Sequence, residues 1–249
     1  MTAVIHQRVA PTRSQVLTPG SCIAAHRHEE HQVVYSSRGI LAIRTPSGSW
    51  IAPPDRAIWV PAGVEHEHTA HGSVELRLVG MRGMRTCTGA LGTGRPEVLR
   101  VTPLLRELIK ECAGDENAEQ PERRRMRAVL RDQLAVAEPL PGFLPAPTAP
   151  VLRDVAGLFL ADPAEPRTLA ELGRAVGASE RTLSRLFKAD VGMSFSQWRV
   201  RLRLHHALTL LADGLPVTTV AHRCGWSSAS AFITAFKAAF GYTPGSRVR

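Results

Sequence analysis

Two stretches of this chain carry side chains with chemistry to offer. In "ERTLSRLFKADVG", residues 180–192, Arg181 and Arg185 stand one helical turn apart. An arginine presented on a helix can donate two parallel hydrogen bonds to guanine N7 and O6, worth about 1–3 kcal/mol of base discrimination per good pairing. In "HRHEEHQ", residues 26–32, His26 and His28 stand two apart, the spacing that puts both imidazoles on one face of a strand. Neutral imidazoles are ligands for divalent metal ions. One pattern suits base reading; the other suits an ion or a small-molecule pocket.

The arginine pair needs a helix to hold it. Leu183, Leu186 and Phe187 recur at i, i+3 and i+4, so they form the inward stripe and leave Glu180, Arg181, Thr182, Ser184, Arg185 and Lys188 outward. Upstream, Leu169, Leu172 and small Gly173 mark another short helix, and Val176-Gly177-Ala178-Ser179 breaks it. Gly177 accepts positive φ without a Cβ penalty, Ser179 is a good N-cap, and Gly173 permits close approach of the two helices. The spacing predicts a helix, a tight turn and a second helix.

The pattern recurs in "CGWSSASAFITAFKAAFGYTP", residues 224–244. Pro216 opens a helix, Val217 and Val220 face inward, Ala221 is the small residue, Gly225 makes the turn, and Phe232, Phe236 and Phe240 are the apolar anchors. Its outward face is nearly bare: Ser228, Ala229, Ser230, Ala231, Ile233 and Thr234, with Lys237 behind. Short side chains let a helix sit deep in a groove and touch thymine methyls, but they discriminate weakly. Between the copies, "SFSQWRVRLRLHHALTLLADG" is one continuous helical pattern ending at Gly214, a stiff rod between two helix-turn-helix units. Such a unit presents its second helix to the major groove, so two on a rod are suited to successive grooves of double-stranded DNA. Lys188, Arg199, Arg201 and Lys237 are expected at phosphates or within the domain, and Trp198 and Trp226 in the core.

Composition agrees. The 249 residues are 44% hydrophobic, enough for real cores, and carry a formal charge of +9. Of 31 Lys and Arg and 22 Asp and Glu, residues 151–249 hold 13 and 7, leaving 18 and 15 for residues 1–150. The excess is concentrated where the helix-turn-helix patterns lie, as a polyanionic partner requires. Cys22, Cys87, Cys112 and Cys224 form no CxxC pair, which argues against a zinc ribbon or disulfide framework and for a reduced, cytoplasmic setting. No apolar stretch approaches the roughly 18 residues of a membrane span, so no membrane partner is expected.

Residues 20–82 read as strands: "HQVVYS", "ILAIRT", "AIWVPA" and "VELRLVG" are separated by "SRG", "PSGS" and "PPD". Two amphipathic helices follow, in "PLLRELIKECAG" and "PERRRMRAVLRDQLAVAE". "PLPGFLPAPTAP", residues 139–150, has five prolines and predicts an extended, semi-rigid linker. The expected architecture is an all-β barrel with two helices over 1–138, the linker over 139–150, and an all-α domain with two helix-turn-helix units over 151–249.

Residues 151–249 resemble the C-terminal DNA-binding domain of the AraC/XylS family of transcription regulators, most specifically in "RLRLHHALTLLADGLPVTTVAHRCGWSSASAFITAFKAAFGYTP". The strand-rich front resembles the small cupin barrel that many members carry as a sensor. That resemblance implies convergence of His26, His28, Gln32 and His66, which match the cupin places for an HxH pair, a following acidic or amide residue, and a histidine after PxG. Gln32 stands where glutamate is usual, removing a negative charge. The implied cofactor is a divalent ion such as Zn²⁺, Fe²⁺ or Ni²⁺, with a small-molecule pocket or a purely structural role as the alternatives. His31, His68 and His71 are further possible ligands or surface histidines. A homodimer is expected, with Leu105, Leu108, Met126, Leu130 and Leu134 either as its seam or packed on their own barrel, and RNA polymerase as a further partner. It leaves open whether transcription rises or falls.

Two other function classes compete. A metal-dependent cupin enzyme with a helical appendage would use the histidines but has no need of a duplicated reader. A nonspecific nucleoid-type binder fits the charge but not a well-formed recognition helix.

Overall fold

The computed structural model describes residues 4–84, 89–114 and 120–246; Cys87 lies outside the described residues. The strands are β1 (Ile5–Gln7), β2 (Arg13–Leu17), β3 (Cys22–His28), β4 (His31–Ser36), β5 (Ile40–Thr45), β6 (Gly48–Ala52), β7 (Arg56–Val60), β8 (His66–His71), β9 (Val74–Met81), β10 (Glu97–Arg100), β11 (Pro139–Leu140) and β12 (Phe143–Pro145). Helices α1 (Pro103–Ala113) and α2 (Pro121–Ala135) interrupt them. One sheet has the order β1-β3-β8-β5-β6-β12 and the other β11-β10-β7-β4-β9-β2.

The second sheet is apolar on both faces, which is why "QVVYS" and "AIWV" read as unbroken apolar runs rather than alternations. Val34, Ile58, Val60, Leu76 and Leu78 meet Leu41, Ile43, Trp50 and Ala70 of the first sheet in one buried cluster. Their odd-numbered neighbours Val33, Tyr35, Ala57, Trp59, Val79 and Met81 point the other way, into a cluster with α1 and α2. The strand period of two thus divides one sheet between two cores.

That second core takes up the helix faces expected at the dimer seam. Leu105, Leu130 and Leu134 are at most 1% exposed, and Leu108 and Met126 pack on the same cluster. The apolar stripes of α1 and α2 pack on their own sheet, which buries Leu105, Leu130 and Leu134 and leaves Leu108 and Met126 half-buried. Leu104 and Val129 are the exposed large apolar side chains on these two helices.

The proline-rich stretch is more ordered than a free linker. Leu140 of β11 pairs with Val98 of β10, and Arg56 Nη1 donates to the Pro141 carbonyl at 2.7 Å. Both β11 and β12 are sheet edges, where proline's missing N–H costs no ladder hydrogen bond. The chain divides into two compact units at Phe143/Leu144, with Ser47–Ser49 belonging to the later one.

The later unit is helical: α3 (Pro150–Ala161), α4 (Leu169–Ala175), α5 (Glu180–Leu186), α6 (Phe195–Ala212), α7 (Val217–Arg223) and α8 (Ala229–Phe240), with a π-helical turn at Phe187–Val191. Trp198 Nε1 donates to the Pro145 carbonyl at 3.2 Å. The Asp190 carboxylate accepts from the Ala149 amide at 3.0 Å, the Thr148 amide at 2.8 Å and the Thr148 hydroxyl. These hydrogen bonds fix the start of α3 against the end of the first helix-turn-helix. Among the described residues, no helix is long and apolar enough to cross a membrane.

Candidate nucleic-acid interface and effector site

The first helix-turn-helix is α4 and α5. Thr168 and Glu171 form a capping box at the start of α4, and Ser179 Oγ accepts the Thr182 amide at 3.1 Å to cap α5. Gly177 takes φ +69° in the turn. The Ala178 amide donates to the Gly173 carbonyl at 2.8 Å, and a Cβ on Gly173 would overlap the Ala178 carbonyl oxygen. Leu183 and Phe187 are fully buried. This leaves Arg181, Ser184, Arg185 and Lys188 exposed and Thr182 half-buried, all on the side opposite the core. Lys188 stands on the π-helical turn rather than on α5 itself.

The second unit, α7 and α8, repeats this wiring. The Trp226 amide donates to the Ala221 carbonyl at 2.9 Å, Gly225 takes φ +74°, and Ser228 Oγ caps α8 through the Ala231 amide at 3.2 Å. The turn is one residue longer: Trp226 and Ser227 precede the cap where Ala178 alone does in the first unit. Phe232 and Phe236 are fully buried, with ring centroids 5.6 Å apart. Ser228, Ser230, Ala231, Thr234 and Lys237 are exposed, and Ala229 and Ile233 half-buried. The presented face is short and uncharged apart from Lys237. Between the units, the N-terminal half of α6 contributes Phe195, Trp198 and Leu202 to the first unit's core. Cys224 lies fully buried beside the second turn, and burial pushes its thiol up to about 12.

In the β domain, the inward faces of β3 and β8 bring four histidines together. His26 pairs with His66 across the two strands, with ring centroids 4.3 Å apart. His28 lies 5.0 Å from His66, and His68 lies 5.2 Å from His66 and 5.6 Å from His26. All four are buried. Ligand atoms of His26, His66 and His68 come within 4.8 Å of one another. His26 and His66 place Nδ1 against the Ala24 and Val64 carbonyls at 2.8 and 2.9 Å, and His28 Nδ1 bonds the Glu30 carbonyl. These bonds orient the other ring nitrogen into the interior. His28 Nε2, His66 Nε2 and both nitrogens of His68 are buried without a hydrogen-bond partner.

Gln32 joins from β4, on the inward face it shares with Val34. Its Nε2 donates to the Pro11 carbonyl at 3.0 Å, and its Oε1 is buried and unpartnered. Burial, with the neighbouring imidazoles acting in the same direction, holds His66 at about 3 and His68 well below the ordinary imidazole range. Burial also lowers His28, against the opposing hydrogen bond to Glu30. His66 and His68 are therefore neutral at ordinary pH, the state in which imidazole binds a metal.

The structure therefore brings together His26, His28, Gln32 and His66, and adds His68. The signal for His68 is "HEH" at 66–68, the same alternate spacing as "HRH" at 26–28. His31 falls elsewhere: its odd position turns it to the other face, where it stacks on Trp59 at 4.9 Å and its Nδ1 accepts the Ala62 amide at 3.0 Å. His71, at an odd position on β8, is likewise off the inward face. Arg203, on α6, was not singled out by the sequence pattern, yet its guanidinium donates to four backbone carbonyls.

Comparison with known proteins bears on both domains. Residues 172–249 match the family described as helix-turn-helix domain, and residues 18–132 match the AraC-like ligand binding domain. The HTH-type transcriptional regulator NimR of Escherichia coli is 33% identical over 227 residues, covering 88% of this chain and 80% of that protein. The HTH-type transcriptional regulator RipA of Corynebacterium glutamicum is 38% identical over 101 residues, which is 41% of this chain and 30% of that protein. A solved AraC-type transcriptional regulator from Chromobacterium violaceum is 31% identical, covering 40% of this chain and 89% of that one at a TM-score of 0.38. These relatives are named as regulators rather than enzymes, which sets the cupin-enzyme alternative aside. The chain belongs to the AraC/XylS family of DNA-binding transcription regulators, with an AraC-like ligand-binding domain ahead of its helix-turn-helix domain.

Proposed function

We propose that this regulator reads a two-part DNA site asymmetrically, in response to an effector held between the two sheets of its β domain. The single observation that carries the reading is the contrast between α5, which exposes Arg181 and Arg185 in a capped helix-turn-helix, and α8, whose exposed face is Ser230, Ala231 and Thr234. The first unit specifies bases by bidentate hydrogen bonds; the second supplies groove fit, with Lys188 and Lys237 at phosphates. A homodimer on paired half-sites gains effective concentration on DNA, and RNA polymerase is the partner through which bound protein acts. Both belong to a cytoplasmic setting. Selection from a random DNA pool tests the reading: the expected product is a two-part site with one sharply defined half and one loosely defined half. Recovery of no preferred sequence over bulk DNA would leave a nonspecific binder.

A divalent metal ion is the occupant that the donor set favours for the β domain. His26, His28, His66 and His68 would hold it, with the Gln32 amide oxygen as a further ligand. Buried, unpartnered imidazole nitrogens and amide oxygen cost about 1–3 kcal/mol each, a cost that a ligand relieves. Five neutral donors without a carboxylate suit Zn²⁺, Ni²⁺ or Fe²⁺ over Mg²⁺ or Ca²⁺. Such an ion would offer a coordination position to an organic effector. Elemental analysis of protein purified without a histidine tag, with titration of each ion followed by thermal melting, tests this. Absence of stoichiometric metal and an unmoved melt would leave the histidine cluster without an ion and the response to an organic effector alone.

A further inference from the structure

We propose that Arg203 is a positioning residue that locks the angle and spacing between the two DNA readers, and so sets which separation of half-sites the protein accepts. The inference rests on the two-reader function above. Arg203 sits midway along α6, directly after Leu202, the last α6 residue in the first unit's core. Its Nε donates to the Pro163 carbonyl at 3.0 Å, and its Nη2 to the Ala164 and Glu165 carbonyls at 3.4 and 3.1 Å. Those carbonyls line the loop that leads from α3 into α4, the first helix of the first reader. Its Nη1 donates to the Gly225 carbonyl at 2.9 Å, in the turn of the second reader. One planar cation thus holds the entrance of one helix-turn-helix and the turn of the other from the rod between them.

The joint is closely fitted. A Cβ on Gly225 would lie 2.6 Å from Arg203 Nη2 and 2.8 Å from Ala164 Cα, so glycine is required there for steric reasons as well as for its φ of +74°. Loop 163–165 also has its own anchors, the Ala164 amide on Asp162 Oδ1 at 2.9 Å and the Arg167 guanidinium on Glu165. The donor fork therefore grips a loop that is already shaped. Lysine has three donors on one nitrogen and cannot span four carbonyls in a fork. Neither reading face contains Arg203, so its loss leaves each base-reading surface intact.

The test uses the full-length protein and DNA selected by it from a random pool. Wild type, Arg203→Lys and Arg203→Gln are titrated against the selected two-part site, the same site with one half scrambled, and variants with the halves moved by one or two base pairs. Expected for both variants is near-wild-type binding to the half-scrambled DNA. Affinity for the correctly spaced site should fall at least tenfold, and the preference for the original spacing should flatten. A spacing profile unchanged from wild type in both variants would overturn the proposal. Equal loss on half-scrambled and intact sites, with a lowered melting temperature, would also overturn it, since Arg203 would then hold the fold rather than the joint. Failure of the wild type to select a two-part site would instead defeat the two-reader function on which the proposal stands.

Discussion

The Ala178 amide donates to the Gly173 carbonyl at 2.8 Å, and the Ala178 carbonyl in turn fills the space that a Cβ on Gly173 would need. Helix α4 and the start of α5 therefore touch backbone to backbone. Replacing Gly173 by alanine must push them apart, and overpacking of this kind costs about 1–3 kcal/mol. Gly177→Ala meets open space and carries only the strain of its positive φ, roughly 1–2 kcal/mol. Calorimetry of both variants should show two destabilisations of similar size. DNA binding by the folded fraction should suffer only in Gly173→Ala; equal binding by both would show that the helix pair is not the geometry the first reader needs.

Arg185→Ala should flatten base preference at one or two positions of the better-defined half-site, by about 1–3 kcal/mol for each bidentate pairing removed. Binding measured across all single-base variants of the selected site gives the answer. Uniform weakening with unchanged preferences, and a shallower salt dependence, would place Arg185 at phosphates instead.

Within the β domain, His66→Ala and His68→Ala should each abolish stoichiometric Zn²⁺ or Ni²⁺ uptake, read by elemental analysis and by the shift of the melt on adding the ion. His31→Ala should leave uptake unchanged, because its ring stacks on Trp59 away from the cluster. Uptake that survives loss of His68 would reduce the ligand set to His26, His28, Gln32 and His66.

Asp190 ties Thr148 and Ala149 to the first helix-turn-helix, and hydrogen bonds from the Ala149 amide, then the Thr148 hydroxyl and amide, hold its carboxyl below the usual carboxylate range. A group whose folded pKa is depressed stabilises the fold above its unfolded pKa, about 3.9, and that stabilisation fades as pH falls through the folded value. Asp190→Ala should therefore lower stability near neutrality by about 1 kcal/mol, allowing for solvent access. The gap from wild type should narrow below pH 4. A gap independent of pH would mean that packing rather than charge makes the difference.

Leu130→Ala should cost about 2–5 kcal/mol of stability, since Leu130 is fully buried between α2 and the second sheet. Thermal melting and sedimentation separate this from a dimer effect. An unchanged melt with an altered association state would restore α2 as a seam.

The helical half was legible because its signals are local. Ser179, Gly177 and the Leu183/Leu186/Phe187 stripe fix a cap, a turn and a face within residues 177–187. The β half was legible in its strands but not in its layering: Val33 and Val34 are equally apolar, and only the pairing of β4 with β7 and β9 decides which core each joins. The same ambiguity left Leu105, Leu130 and Leu134 open to a partner or to their own sheet, and they pack on the sheet. His68 shows the limit from the other direction, because its alternation with His66 was visible while the register that sets β8 against β3 was not. Arg203 was invisible for a different reason. Its partners are backbone carbonyls, and no residue type announces those.

The sealed thiol of Cys224 makes the second reader its own clock. At the C-terminal end of α7, fully buried and with burial raising its thiol to about 12, it is shielded from an alkylating reagent until its surroundings open. Cys22, open on the surface of the β domain, would react at once and calibrate the reagent. The lag between the two marks how often this part of the second reader opens, and any ion or effector at the histidine cluster that slows or hastens that lag has been felt there.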